Sequence, residues 1–200
     1  MTPRRRLCLT RPCGFAMVSV SSMLSHQIGP VHVRDLEPWH ADELAGFFQR
    51  SGADLYEWLP WEHLESTDAT KKLLKDFADG RAADTRRIYG LWLDDFLVGG
   101  TLFPSINVGA GTAELGVFLA KDARGQGIVT RTVEAMIDWA FGERGLRRLE
   151  WRCAPGNEPS RAIPRRLGFT HEGTLRQVFR VREDFHDLEV WSLLRDEWRA

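Results

Sequence analysis

The stretch ARGQGIVTRTVEAM, residues 123–136, places two glycines, Gly125 and Gly127, directly before an amphipathic helical pattern. Glycine has no Cβ, so the backbone at both positions can come close to a ligand. The first N–H groups of the following helix have no partner within the helix, and the positive end of its dipole lies behind them. A helix that begins in this way is typical of an anion-binding site, and a pyrophosphate fits it.

The helix after the glycines carries one apolar stripe. Its apolar residues recur at helical spacing, namely Val129, Val133, Met136, Ile137, Ala140 and Phe141. The stripe predicts that this helix packs on a core while its N-terminus stays free for a ligand.

Glycine pairs before helices also occur in plain tight turns, so that alternative stays open on these residues alone. Two other phosphate-binding motifs do not match. A dinucleotide-binding fingerprint requires a third glycine and an acidic residue about 20 residues on, and neither is arranged in that way here. A nucleoside-triphosphate loop requires Gly-Lys followed by Ser or Thr, whereas this chain has GIVT at residues 127–130.

The loop and several later segments together resemble the GCN5-related N-acetyltransferase (GNAT) superfamily, and within it the RimJ/RimL type of ribosomal-protein acetyltransferases. The superfamily loop reads Arg or Gln, two residues, Gly, one residue, then Gly or Ala. Arg124, Gly127 and Val129 occupy the marked positions, and Val129 departs from the small residue of the pattern. Further matching segments are NEPS at 157–160, LGFTHEGTLRQ at 167–177 and HDLEVWSLLRDEW at 186–198.

The resemblance covers residues 31–198 and implies the fold, which is of the α/β (α+β) class. The expected GNAT fold is a mixed, mostly antiparallel central sheet of about seven strands, with helices on both faces. It also implies one acetyltransferase domain over residues 28–200 and acetyl-CoA as the cofactor. Residues 1–27 are interpreted as a flexible N-terminal extension, because the resemblance begins only after them. Arg11 and Pro12 interrupt any apolar segment there before it reaches signal-peptide length, so we do not expect secretion.

Composition favours a single soluble domain in the cytoplasm. The chain has 200 residues, of which 43% are hydrophobic, enough for one buried core. The 27 Lys and Arg against 28 Asp and Glu leave a net charge of -1, which argues against nucleic acid and anionic membranes as partners. The three cysteines form no zinc-type spacing, and His171 and His186 share no metal-ligand spacing with another His or Cys, so we expect no metal.

Alternation and helical periodicity predict seven strands and four helices. The predicted strands are 31–36, 88–93, 96–103, 112–119, 147–152, 169–177 and 186–194. The predicted helices are 38–50, 68–80, the helix after the glycine loop and 158–167. Asp94 and Asp95 indicate a short hairpin between the second and third strands.

The strand before the glycine loop carries the candidate general base. Alternation puts Glu114 and Phe118 on one face of this strand and Leu115 and Val117 on the other. Transfer of an acetyl group to an amine requires a neutral amine, and a carboxylate here can take its proton directly or through water. The alternative for Glu114 is an exposed residue or a partner for an arginine. The resemblance implies that the cofactor is bound by Val117, Phe118, Leu119, Arg124, Gly125, Gln126, Gly127, Ile128, Val129, Thr130, Asn157 and Ser160.

The helix that begins near Asn157 carries the candidate acid. The side chain of Asn157 can cap this helix, although the resemblance places it on the pantetheine arm of the cofactor. Many superfamily members use a tyrosine further along the helix as the acid, but Pro164 stands about there in this chain. Ser160 is therefore the expected donor to the leaving sulfur, with a hydroxyl that only satisfies backbone as the alternative.

Four residues are candidates for binding the acceptor, by resemblance. Trp58 and Trp61 belong to the aromatic segment YEWLPW, whose alternative role is core packing or a dimer contact. Glu172 and Arg176 lie near the substrate end in relatives, and an ion pair is their alternative role. The arginines of the helix after Asn157 are candidates for the 3′-phosphate of the cofactor or for a solvated face, namely Arg161, Arg165 and Arg166.

The sequence thus predicts an acetyl-CoA-dependent N-acetyltransferase that uses direct transfer to a primary amine. The first choice of acceptor is a protein N-terminus, as in the RimL type, and a small amine such as a polyamine, amino acid or antibiotic is the alternative. A covalent route through Cys153 is disfavoured, because no base partner is evident. A non-catalytic acyl-CoA sensor is the hypothesis from another class. A homodimer is possible.

Overall fold

The structure, a computed structural model, describes residues 26–199. Nine strands and four α-helices are present among them. The strands are β1 His26–Ile28, β2 Val31–Asp35, β3 Arg87–Leu93, β4 Phe96–Phe103, β5 Ile106–Asn107, β6 Thr112–Leu119, β7 Arg148–Cys153, β8 Thr170–Val181 and β9 Asp184–Leu194. The helices are α1 Ala41–Ser51, α2 Thr67–Ala82, α3 Ile128–Asp138 and α4 Glu158–Arg166.

The strands form one sheet in the order β1-β2-β3-β4-β6-β7-β9-β8, with β5 paired to β6. Every pairing is antiparallel except that of β6 with β7, which is parallel. The expected mixed, mostly antiparallel sheet is therefore confirmed. A parallel pair requires a crossover connection, and α3 provides it, so the glycine loop lies at the carboxyl end of β6.

Helices cover both faces of the sheet, as expected. On one face α1 and α2 enclose a core that includes Phe47, Phe48 and Phe118. On the other face α3 encloses a core that includes Leu115 and Met136. The alternation predicted for β6 is confirmed, because adjacent residues of this strand enter opposite cores.

The hairpin predicted at Asp94 and Asp95 is confirmed, because β3 pairs with β4 on either side of them. Both residues have positive φ, 48° and 64°, as a two-residue hairpin turn with the sheet's own twist requires. The hairpin β8–β9 is longer than predicted and extends to Val181 and Asp184. Two bulges interrupt its pairing, and these break the period-2 pattern on which the prediction depended.

The predicted number of strands was too low, because β1 and β5 have only three and two residues. Runs of this length carry no periodicity. His26 and Gln27, the last residues of the predicted N-terminal extension, belong to β1 and pair with β2. The rest of the predicted extension, residues 1–25, lies outside the described residues. Within residues 26–199, no helix is long and apolar enough to cross a membrane.

Candidate active site

The site is built where β6 and β7 separate. Their parallel pairing runs from Thr112 with Arg148 to Leu115 with Trp151 and ends there. Beyond this point β6 continues beside β4, with Gly116 opposite Leu102 and Leu119 opposite Gly99. The edge of β6 that faces β7 is therefore open from Gly116 onward. A cleft of about 800 Å³ occupies the gap, which is within the usual size range of ligand sites.

The glycine loop closes one end of this cleft. Gly125 and Gly127 both adopt left-handed backbone, with φ of 80° and 71°, a conformation that costs other residues about 1–2 kcal/mol. Gly127 is the N-cap of α3, and the residues of the first turn line the cleft, namely Ile128, Val129 and Thr130. The N–H groups of a first helical turn have no intrahelical partner. The loop therefore presents amide donors and the positive end of the helix dipole to the cleft.

The start of α4 forms a wall of the same cleft. The side chain of Asn157 caps α4, because its Oδ1 accepts the backbone N–H of Ser160 at 3.1 Å. The Oγ of Ser160 accepts a hydrogen bond of 3.2 Å from Nε1 of Trp151. Because the indole is a donor only, the hydroxyl proton of Ser160 is left to other groups that line the cleft, and Cys153 is one such partner. Asn157 thus caps the helix, as one of its two expected roles required, and it also lines the cleft.

Cys153 also lines the cleft and is buried. Burial, together with the nearby carboxylate of Glu189, raises the pKa of its thiol to about 11, and a hydrogen bond with Ser160 opposes the shift. The thiol is therefore protonated at neutral pH, whereas the nucleophilic form of cysteine is the thiolate. This supports the expectation that the reaction does not pass through an acyl-cysteine.

Glu114 lies on the other side of the gap from Ser160. Glu114 is half-buried and lies on the same face of the sheet as Phe118. Ser160 is hydrogen-bonded to Trp151, which packs in the core on the other face, under α3. Burial raises the pKa of Glu114; Arg152 lowers it and Glu150 raises it further. A carboxyl group with a raised pKa is a better proton acceptor in its ionised form. Base and acid candidates therefore border one cleft from opposite faces of the sheet.

Part of the cleft is apolar and aromatic. Trp58 and Trp61 both line it. Trp61 packs edge-on against Phe118 with 5.5 Å between the ring centroids, so it has a packing role as well as a lining role. The hairpin β8–β9 contributes Phe179 and Leu188 to the facing wall.

An ion pair joins the β8–β9 hairpin to the segment that follows YEWLPW. Arg182, at the tip of the β8–β9 hairpin, donates from Nε to Oε1 of Glu62, which follows the YEWLPW segment. Arg182 has a positive φ of 54°, and both side chains remain exposed. The contact therefore joins two segments whose neighbouring residues, Phe179 and Trp61, line the cleft.

Three predicted site residues lie outside the lining of this cleft. Both guanidinium NH groups of Arg148 donate to the carboxylate of Glu172, at 2.7 and 2.6 Å, so Glu172 has the ion-pair role given as its alternative. Arg176 borders a separate surface depression on the β8 bulge. The carbonyl of Gln126 accepts a hydrogen bond from Arg131. The structure does not bring these three together with Glu114 and Ser160.

Of the three arginines of α4, one lines the cleft and two form other contacts. Arg166 lines the cleft and donates to Oγ1 of Thr130 at 2.9 Å. Arg161 instead pairs with the buried carboxylate of Glu189, and Arg165 lies over the ring of Trp191 at 5.8 Å. Arg166 and Arg124 are therefore the cationic side chains that border the cleft beside the glycine loop.

Sequence reasoning missed several residues that line the cleft, namely Asp54, Arg86, Arg152, Phe179 and Leu188. The sequence could have indicated Arg152, since alternation on β7 puts it on the same face as Arg148 and Glu150. The others come from loops or from a bulged hairpin, where no periodic pattern applies.

Comparison with known proteins identifies this arrangement. The sequence model of the acetyltransferase (GNAT) domain matches residues 34–170. The chain belongs to the GNAT acetyltransferase family. Its relatives include the "Putative ribosomal N-acetyltransferase YdaF" of Bacillus subtilis, 35% identical over 85% of this chain and 94% of the relative. The ribosomal-protein-serine acetyltransferase of Escherichia coli is 26% identical over 71% of this chain and 80% of its own length.

The fold of this GNAT acetyltransferase is shared with solved structures. RimL, the ribosomal L7/L12 alpha-N-protein acetyltransferase, solved in complex with coenzyme A, superposes with a TM-score of 0.78 at 23% identity. The superposition covers 82% of this chain and 94% of that structure. The expected fold, family and enzyme class are thus confirmed: this GNAT protein is an acetyl-CoA-dependent N-acetyltransferase.

The residues of the cleft fit acetyl-CoA. The loop at Gly125 and Gly127 has a left-handed backbone that would strain residues with a Cβ. Its backbone amides are donors suited to the pyrophosphate. The open edge of β6 from Gly116 to Leu119 offers backbone groups to an amide-containing arm such as pantetheine. When bound, the cofactor supplies the activated acetyl thioester.

Proposed function

We propose that this enzyme acetylates the N-terminal α-amine of a protein, by direct transfer, with Glu114 as the base and Ser160 as the acid. The charge of the cleft supports the proposal most directly. Among residues 26–199, only two carboxylates line it, Asp54 and Glu114, against four arginines, namely Arg86, Arg124, Arg152 and Arg166. A polyamine or an aminoglycoside carries several cationic groups and requires several carboxylates. A single amine on an extended peptide requires only one.

The geometry supports direct transfer. Glu114, directly or through a water held there, would take the first proton of the amine so that the nitrogen can attack the acetyl carbon. The hydroxyl of Ser160 would donate its proton to the departing thiolate, and the proton that the nitrogen loses as the amide forms would restore the hydroxyl. The buried and protonated thiol of Cys153 takes no part.

The names of the relatives point to the same acceptor class. YdaF is named for ribosomal N-acetylation and the Escherichia coli enzyme for a ribosomal-protein serine. The apolar walls around Trp58 and Phe179 suit the side chains of the first residues of an extended peptide. A ribosomal acceptor also places the enzyme in the cytoplasm.

The test measures thiol release from acetyl-CoA with three panels, which are N-terminal peptides, polyamines and aminoglycosides, and identifies products by mass. We expect one added acetyl group on peptides with a free α-amine and none on the same peptides with a blocked N-terminus. Acetylation of polyamines or aminoglycosides alone would contradict the proposal. Tight acetyl-CoA binding without amine-dependent thiol release would favour the sensor hypothesis instead.

A further inference from the structure

Acidic and basic side chains alternate in a charge ladder that crosses the sheet and ends at the proposed base. Its members are Glu172, Arg148, Glu150, Arg152 and Glu114. Nε of Arg152 lies 3.9 Å from Oε2 of Glu114, and its NH2 group donates to Oε2 of Glu150 at 2.9 Å. Arg148 holds the other oxygen of Glu150, with Nε 3.0 Å from Oε1. Arg148 is itself fixed by Glu172, which also accepts a hydrogen bond of 2.7 Å from Oγ of Ser192.

The register of the strands explains this arrangement. Glu114 and Glu150 are direct partners across the parallel pair β6–β7, so two carboxylates lie side by side on one face. Arg152 follows two residues later on the same face, just past the last paired residues, and lines the cleft together with Glu114. Arg152 can therefore approach either carboxylate, and the structure shows it bonded to Glu150.

The contact of Arg152 with Glu114 is too long for a hydrogen bond. A guanidinium that bonded fully to Glu114 would stabilise its ionised form and make it a poor proton acceptor. Glu150 cannot easily release Arg152, because Arg148 and Glu172 keep Glu150 in place. The charge ladder thus keeps Nε of Arg152 a few tenths of an ångström farther from Oε2 of Glu114 than a hydrogen bond allows.

Other charges near Glu114 are few. The charged residues of β7 beside Glu114 are Glu150 and Arg152. The residues that β4 and the segment after it contribute to the cleft lining are uncharged, namely Leu102 and Pro104. The remaining charged side chains that line the cleft are Asp54, Arg86, Arg124 and Arg166. Of the charged groups, Arg152 and Glu150 are the ones that change the pKa of Glu114, and they do so in opposite directions.

We propose that Glu150 is a positioning residue, which holds the guanidinium of Arg152 back from Glu114 and so leaves Glu114 free to accept the proton of the amine. The proposal rests on the proposed function, in which Glu114 is the base. It assigns Arg152 the opposite effect, since this cation would block the base if Glu150 released it.

The test titrates Glu114 directly, by carbon NMR of protein labelled at glutamate side chains, and measures kcat/KM against pH with a peptide that is acetylated. In Glu150→Gln, we expect the pKa of Glu114 to fall by about 1, the acidic limb of kcat/KM to move with it, and kcat to fall about tenfold. In Arg152→Gln, the pKa of Glu114 should rise. The double variant should regain most of the lost kcat, because no cation is left to occupy Glu114.

Asp79→Asn is the matched control, since Asp79 is an exposed carboxylate in an ion pair with Lys75 on α2, away from the ladder. An unchanged Glu114 titration in Glu150→Gln would overturn the proposal, and so would a double variant as slow as Glu150→Gln. Full activity and an unchanged pH profile in Glu114→Gln would instead show that the proposed base is wrong. The NMR titrations of Glu114 would still decide whether Glu150 holds Arg152 back.

Discussion

The indole Nε1 of Trp151 donates a hydrogen bond of 3.2 Å to Oγ of Ser160, and this contact joins the end of β7 to the first turn of α4. Because the indole is a donor only, the hydroxyl proton of Ser160 is left to its other partners in the cleft, of which Cys153 is one.

Ser160→Ala should therefore lower kcat on the order of 10²-fold, because the departing thiolate loses its proton donor. The Kd for acetyl-CoA, measured by calorimetry, should change little. Ser66→Ala is a matched control, since Ser66 precedes α2 and its side chain makes no capping hydrogen bond. Equal losses of kcat and of acetyl-CoA affinity would assign Ser160 to binding instead.

Gly127→Ala should weaken acetyl-CoA binding about tenfold, because holding alanine at left-handed φ costs about 1–2 kcal/mol. A loop that relaxes to negative φ no longer aims its amides at the pyrophosphate, so binding has to restore the strained conformation. A Cβ at this position would also meet the guanidinium of Arg131 at 3.2 Å. Gly142→Ala is the control, since Gly142 has open space around it and no positive φ. An unchanged Kd would contradict the role of the loop.

The pair of Arg161 with Glu189 should stabilise the fold. Glu189 is almost fully buried and accepts hydrogen bonds from Arg161 at 2.9 Å and from Trp191 at 3.0 Å. Glu189→Gln should lower the free energy of unfolding by about 1.5–3 kcal/mol, since the buried side chain loses its charge-assisted hydrogen bonds with Arg161 and Trp191. Glu158→Gln removes an exposed partner of the same Arg161 and should cost less than about 1 kcal/mol. Urea denaturation measures both.

The same pair predicts how stability depends on pH. Burial favours a higher pKa for Glu189, but the hydrogen bonds from Arg161 and Trp191 outweigh it and lower the pKa below its ordinary value. This contribution to stability is full above the unfolded pKa of about 4.3 and is lost as the pH falls through the lower folded pKa. The wild-type protein should therefore lose more stability between neutral and strongly acidic pH than Glu189→Gln. Parallel curves would contradict this.

Arg182→Ala should raise KM for a peptide acceptor a few-fold, because the ion pair with Glu62 joins the hairpin that carries Phe179 to the segment that carries Trp61, and both of these side chains line the cleft. Exposed ion pairs contribute only about 0–1 kcal/mol, and salt should reduce the difference between variant and wild type. The Kd for acetyl-CoA should stay the same. Arg180→Ala is the control, since Arg180 pairs with Glu183 within the hairpin. A rise of equal size in Arg180→Ala would show an effect of the hairpin as a whole.

Cys153→Ala should retain kcat within a factor of about three, because a buried thiol is a weak nucleophile when its pKa is far above neutral. The pKa of about 11 places it in that class. The peptide that contains Cys153, isolated after incubation with acetyl-CoA alone, should carry no acetyl group by mass. An acetylated Cys153 that then passes its acetyl group to the acceptor would contradict direct transfer.

Local signals predicted much of the fold. Gly127 and the stripe through Met136 determine where α3 begins and which face it buries, because both signals lie within a few helical turns. Asp94 and Asp95 determined the β3–β4 hairpin for the same reason, since turn conformation depends on adjacent residues. The bulges of β8 had no such signal, and the strand was predicted too short.

The sequence by itself determined the glycine loop, the family, and the alternation that places Glu114 and Phe118 on one face of β6, because backbone preferences and side-chain periodicity are local properties. Only the tertiary structure decided where β6 and β7 separate, since register and its end depend on long-range pairing and packing. That separation brings Glu114 and Ser160 to opposite sides of one cleft. It also leaves Arg152 between two carboxylates, a contact that no spacing along the chain encodes.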